Sequence, residues 1–126
     1  MNLVDALLGS PEQKEFKFGN GKVILKTLTQ DELNEVMEKL PRMDLSIIEL
    51  QKVPILARSI VSINGIDIHA FQEVQDAIKK DEKVRISNVI EEVLGKMDTT
   101  LINLLYGYYS ELNEYVTKKR EELKKA

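Results

Sequence analysis

Residues 47–69 read Ile-Ile-Glu-Leu-Gln-Lys-Val-Pro-Ile-Leu-Ala-Arg-Ser-Ile-Val-Ser-Ile-Asn-Gly-Ile-Asp-Ile-His. Apolar side chains recur at helical spacing through Ile47, Leu50, Val53, Ala57, Ile60 and Val61, and the pattern stops at the turn pair Asn64-Gly65. The spacing predicts a buried helix running from Asp44 or Ser46, either of which can cap it, to about Ile63. Pro54 removes one backbone donor inside that span, so the helix either kinks or divides there.

Upstream, Lys14-Glu15-Phe16-Lys17-Phe18 alternates polar and apolar residues, and Lys22 to Leu28 reads as a returning strand rich in β-branched residues. Gly19-Asn20-Gly21 supplies the turn between them, which makes a hairpin. A lone hairpin is marginal in water, so it must lie against helices, with Phe16 and Phe18 as its contacts. The glycines do not cradle a phosphate, because such a loop opens into a helix and here a strand follows. Thr29-Gln30-Asp31-Glu32 is a capping box, and the helix it starts carries Leu33, Val36, Met37 and Leu40 on one face until Pro41 ends it.

Downstream, Ile66-Asp67-Ile68 is too short to decide between strand and loop. Residues 70–79 read as a weak helix with Phe71, Val74 and Ile78 inward, and residues 81–94 as a second helix closed by Gly95. Asp98-Thr99-Thr100 caps a final helix of about 25 residues with the stripe Leu101, Leu104, Leu105, Tyr108, Leu112, Tyr115, Val116 and Leu123. The expected fold is mainly α: a small N-terminal β-hairpin against a compact bundle of about five helices with a long C-terminal one. One domain is expected over residues 1–126, with an arm at 1–13, the hairpin at 14–28 and the helical bundle at 29–126.

The chain has 126 residues, enough for one real core, and its apolar and charged fractions are those of a foldable chain. A net charge of −3 argues against a nucleic-acid binder, which needs a concentrated positive field. The five basic residues of the tail from Lys118 suit a helix C-terminus. With no cysteine there is no disulfide framework and no thiolate metal site, which fits a reducing cytosol. Residues 3–8 are too short and too acidic for a signal peptide, and no run reaches the ~20 apolar residues that span a bilayer. A soluble protein inside the cell is expected.

Residue chemistry offers little for catalysis, and no catalytic, cofactor or metal residue is assigned. His69 is the single histidine, beside a turn, and reads as a surface or capping residue. No nucleophile accompanies it, and with Asp67 alone it falls short of the three or four ligands of a metal site. The carboxylates Glu32, Glu35, Glu38, Asp81, Glu82, Glu91 and Glu92 lie among lysines and read as a solvated face, with Glu35–Lys39 and Glu38–Arg42 as i,i+4 pairs. An enzyme would need a pocket gathering Asp67, His69 and a helix carboxylate. The last helix carries more apolar width than one narrow stripe, including tyrosines of the kind enriched at interfaces. Leu101, Leu105, Tyr108, Tyr109 and Leu112 are the expected partner contacts.

Three segments carry a resemblance: Leu28-Thr29-Gln30-Asp31-Glu32 at a helix start, Ala57-Arg58-Ser59-Ile60-Val61-Ser62-Ile63-Asn64-Gly65, and Leu104-Leu105 with Tyr108-Tyr109-Ser110-Glu111-Leu112 on the last helix. With the order of elements, they make the chain resemble small tail-assembly proteins of tailed bacteriophages, of the tail-assembly-chaperone and baseplate-hub-assembly type. Residues 71–81 have no place in that pattern. The resemblance implies a non-enzymatic protein without cofactor in the host cytoplasm. Its partner would be a phage tail protein, the tape-measure protein or a hub or baseplate component. No catalytic residue carries over. Two other readings are a structural subunit kept in the virion tail, whose copies would pack through the same apolar surplus as homo-oligomers, and a bacterial adaptor module.

Overall fold

The computed structural model describes residues 2–7, 10–40 and 47–123. In chain order the elements are α1 (Leu3–Ala6), β1 (Gln13–Phe18), β2 (Gly21–Lys26), α2 (Gln30–Lys39), α3 (Ile47–Leu50), α4 (Lys52–Ser59), β3 (Ile60–Ile63), β4 (Ile66–Asp67), a 3-10 turn (Ile68–Ala70), α5 (Gln72–Lys80), α6 (Ile86–Leu94) and α7 (Thr99–Leu123). The strands form one antiparallel sheet in the order β1-β2-β3-β4. The fold is therefore α+β, five longer helices with a four-stranded sheet, and not the expected hairpin on a helical bundle.

The correction lies in residues 60–67, inside the stretch expected to be all helix. The helix read through Ile63 stops at Ser59, and the β-branched run Ile60-Val61-Ser62-Ile63 pairs with β2 instead. Val23 faces Ile63 and Ile24 faces Ser62, but Leu25 faces Ile60, so Val61 is the extra residue of a bulge. Ser59 fixes the changeover: its buried hydroxyl donates to the Lys26 carbonyl at 2.7 Å. Asn64 and Gly65 both have positive φ (53° and 80°), so the pair read as a helix stop is the tight turn of the β3–β4 hairpin. Pro54 sits in the first turn of α4, where its missing N–H has no helical acceptor, and the chain divides before it at Gln51. The expected cap at Asp44 or Ser46 and the pair Glu38–Arg42 lie outside the described residues.

Several local signals correspond to what forms. The β1–β2 turn forms at Gly19 and Asn20, with Gly19 at φ 54°, but has two residues and not the expected three, because Gly21 already pairs with Phe18. Thr29 and Glu32 make the reciprocal capping box of α2, at 3.2 and 2.9 Å, and Leu40 is extended (ψ 136°) after the last helical residue. Asp98 Oδ1 accepts from the Thr100 amide at 2.7 Å and starts α7, which spans 25 residues.

One sheet face carries Phe16, Val23 and Leu25 into the core; the other presents Glu15, Lys22, Lys26 and Asp67, the division expected of a sheet wetted on one side. Helix α7 lies under the sheet with Ile102, Leu105, Tyr109, Leu112 and Val116 turned inward. Helix α4 fills the centre with Ile55 and Leu56, and α2 and α6 pack on it through Val36, Ile90 and Leu94.

Candidate functional site

Two concavities flank the β3–α6 junction and share a wall of Ile60, Ile68 and Ile90. The first is a polar cleft of about 420 Å³ whose lining includes Lys26, Glu32, Glu35, Arg58, Asp67, His69 and Ser87. It gathers Asp67, His69 and two helix carboxylates, the arrangement an enzyme would require.

The hydrogen bonds show what these groups do. The Arg58 side chain is only 2% exposed. Its Nε donates to Glu35 Oε2 at 3.0 Å, its Nη1 to the Pro54 carbonyl at 2.8 Å, and Nη1 lies 3.5 Å from Glu91 Oε1. Glu91 also meets Lys39, which in turn bonds Asn88. The expected i,i+4 pair Glu35–Lys39 is thus replaced by a network joining α2, α4 and α6 around a buried guanidinium, whose fork suits two carboxylates and a carbonyl together. Ser87 Oγ lies 3.5 Å from Arg58 Nη2, at the limit of a hydrogen bond.

Glu32 accepts from Lys26 Nζ at 2.6 Å and from the Thr29 amide at 2.9 Å. Partial burial works against its charge, but the Lys26 ammonium and the Thr29 donors outweigh it and hold the carboxyl below the usual range. Asp67 Oδ1 accepts from the His69 amide at 2.8 Å and lies 2.9 Å from its Nδ1, so the pair caps the 3-10 turn. The amide is the chief cause that lowers the Asp67 pKa, followed by the ring. The cleft's carboxylates are engaged in capping and ion pairing, and among the described residues no group of three or more potential ligands could hold a metal ion.

The second concavity is an apolar groove of about 190 Å³ between β3, the 3-10 turn, α5 and α6. Its lining includes Ile63, Phe71, Val74, Val93, Leu94 and Met97, with Glu73 as the one charged residue among the described lining residues. Met97, at the rim, is 37% exposed. Phe71 is extended (ψ 147°) and turns the chain into α5, which places its ring at the groove.

The five expected partner contacts on α7 face the protein's own interior. Leu105, Tyr109 and Leu112 are buried, and Leu101 and Tyr108 are half-buried against the core. Tyr108 stacks on Phe16 with centroids 4.8 Å apart, and its hydroxyl donates to the Lys17 carbonyl at 3.0 Å. Burial, then Tyr106 and Glu32, push the Tyr109 phenol up to about 12. Among the described residues, the large apolar side chains that α7 exposes are Leu104 and Tyr115. Sequence reasoning missed Arg58, although a charge inside the run Ile55 to Ile60 was a signal that a buried partner must exist.

No helix among the described residues is long and apolar enough to cross a membrane. Comparison with protein-family models, with curated proteins and with solved structures finds no match.

Proposed function

We propose that the chain is a non-enzymatic tail-assembly chaperone of a tailed bacteriophage, acting in the host cytoplasm. It holds an apolar side chain of an amphipathic helix of the tape-measure protein, or of a hub or baseplate component, in the groove between β3, α5 and α6. The observation that carries this reading is the groove itself: about 190 Å³ of apolar space with a single carboxylate at its edge, sized for one anchoring side chain. The neighbouring cleft, in contrast, has its carboxylates tied to Lys26, Arg58 and His69. The resemblance of residues 28–32 and 57–65 to tail-assembly proteins supplies the partner class. Binding need only be moderate, since tube subunits must displace the chaperone.

Co-expression with the tape-measure protein followed by pull-down tests the reading. Met97→Asp, at the exposed rim, should lose the partner while keeping the unfolding midpoint of the parent chain. Equal recovery of the folded variant and the parent would overturn it. A structural subunit of the virion tail is the second reading, favoured by the open strand edge at β1. Mass spectrometry of purified particles separates the two, because a chaperone is absent from them and a subunit is present.

A further inference from the structure

We propose that β1 is a self-pairing edge, through which two copies of this chain join antiparallel about a two-fold axis at Phe16. The inference does not depend on the assembly reading. Strand β1 is the first of the sheet and, among the described residues, has a strand neighbour on one side only. Glu12 exchanges bonds with Thr27, and Lys22 directs its amide and carbonyl to Asn64, away from β1. The alternation of an antiparallel ladder then has the even-numbered residues of β1 bonding β2 and the amides and carbonyls of Gln13, Glu15 and Lys17 facing outward. All three residues are exposed.

Charge selects both the occupant and the register. With Phe16 on the axis, Glu15 of each copy stands opposite Lys17 of the other, which gives two cross-strand pairs of opposite charge. Shifting the pairing by one step sets Glu15 against Glu15 or Lys17 against Lys17, and a further step sets Lys14 against Lys14. Lys17 has no carboxylate partner among the described residues. Tyr108 takes one lone pair of the Lys17 carbonyl and leaves the second for an incoming amide.

Helix α7 supplies an independent observation. It runs antiparallel along β1, from Tyr108 at Lys17 and Glu111 at Lys14 to Lys119 at Glu12. An axis at Phe16 is therefore level with Tyr108, whose ring stacks on that of Phe16 at 4.8 Å. Leu104 and Tyr115, 42% and 56% exposed, lie about three turns apart on the same lateral stripe as Tyr108 and Glu111. They lie on either side of that level, about 6 and 10 Å away, so this stripe of one copy runs beside that of the second. The same axis that pairs the charges thus covers the apolar residues that α7 leaves in water.

Light scattering on the eluting full-length chain tests this. The expected mass is twice that of the chain, falling to one chain for Lys17→Glu, which sets acid against acid. The double swap Glu15→Lys/Lys17→Glu restores the opposite pairs and should restore the doubled mass. Circular dichroism confirms that each variant is folded. A monomeric parent, a Lys17→Glu variant that stays dimeric, or a folded double swap that stays monomeric would each overturn the proposal.

Discussion

Asn64 holds Lys22 twice: its amide donates to the Lys22 carbonyl at 2.8 Å, and its side-chain Oδ1 accepts from the Lys22 amide at 2.9 Å. One residue therefore joins the turn of the β3–β4 hairpin to the first strand pair, and it does so from the left-handed region at φ 53°. Few residues other than glycine, asparagine and aspartate settle there, and of these asparagine combines the conformation with a neutral acceptor.

Replacement at this position separates the two contributions. Asn64→Gly keeps the backbone conformation and loses the side-chain bond, for a loss of about 1 kcal/mol. Asn64→Ala also carries the left-handed strain, about 1–2 kcal/mol more. Urea unfolding monitored by circular dichroism gives both values, and an alanine variant no worse than glycine would remove the strain argument.

Gly21 adjoins this contact. A Cβ at that position would lie 2.9 Å from Asn64 Oδ1 and 3.4 Å from the Phe18 ring. Gly21→Ala should therefore destabilise by about 1–3 kcal/mol, the usual range for forced overpacking. In Asn64→Gly the nearest clash is gone, so the same alanine should do less harm. A double-mutant cycle measures that coupling, and additive losses would refute it.

Arg58 carries a further prediction. Truncation to alanine removes the cation of Glu35 and the donor of the Pro54 carbonyl, while Glu91 keeps Lys39 and Glu35 turns to water, so the loss should be about 1.5–3 kcal/mol. Arg58→Lys should recover little, because a single ammonium cannot reach Glu35, Glu91 and the Pro54 carbonyl with fixed geometry. Thermal and urea unfolding of both variants check this; a lysine variant as stable as the parent would show that charge alone suffices.

The sequence carries what is local. The glycine turn of the first hairpin, the Thr29–Glu32 box and the Asp98 cap rest on neighbours within a few residues and are legible from spacing, although Gly21, expected in the turn, pairs in β2. Strand β3 is not, because Ile60 and Val61 fit a helical stripe with Val53 and Ala57 as well as they fit a strand, and four residues cannot decide. What decides is β2, far upstream, together with the Ser59 hydroxyl on the Lys26 carbonyl. The pair Asn64-Gly65 between β-branched residues was the available hairpin signal. The site follows the same rule. Arg58 is visible as a charge in an apolar run, but its partners come from α2 and α6, and the groove exists only once the 3-10 turn and α5 have packed beside β3.

At the acid end, Glu32 sets a direction. Its folded carboxyl titrates below the ordinary value, so its contribution is complete above the unfolded pKa and is lost as pH falls through the folded one. Stability of the parent chain should decline below about pH 4.5, the ordinary value, and Glu32→Gln should reduce that decline while lowering stability at neutral pH. Urea midpoints across an acid series test both parts, and parallel curves for the two proteins would sink the assignment.

At the alkaline end, Tyr109 works with the opposite sign. Its phenol is raised from the ordinary 10.0 to about 12, by burial first and then by Tyr106 and Glu32. Below pH 10 the phenol is neutral in both the folded and the unfolded chain, so the stability it contributes there is complete. Between 10 and 12 the unfolded chain ionises first and draws the equilibrium toward itself. The contribution is gone once pH has risen through the folded value. Tyr109→Phe removes this group and leaves every other alkaline titration in place. The urea midpoint of the variant should therefore fall less than that of the parent between pH 10 and 12. Equal slopes would mean that the phenol meets water as freely in the folded chain as in the unfolded one, which its burial beneath the sheet contradicts.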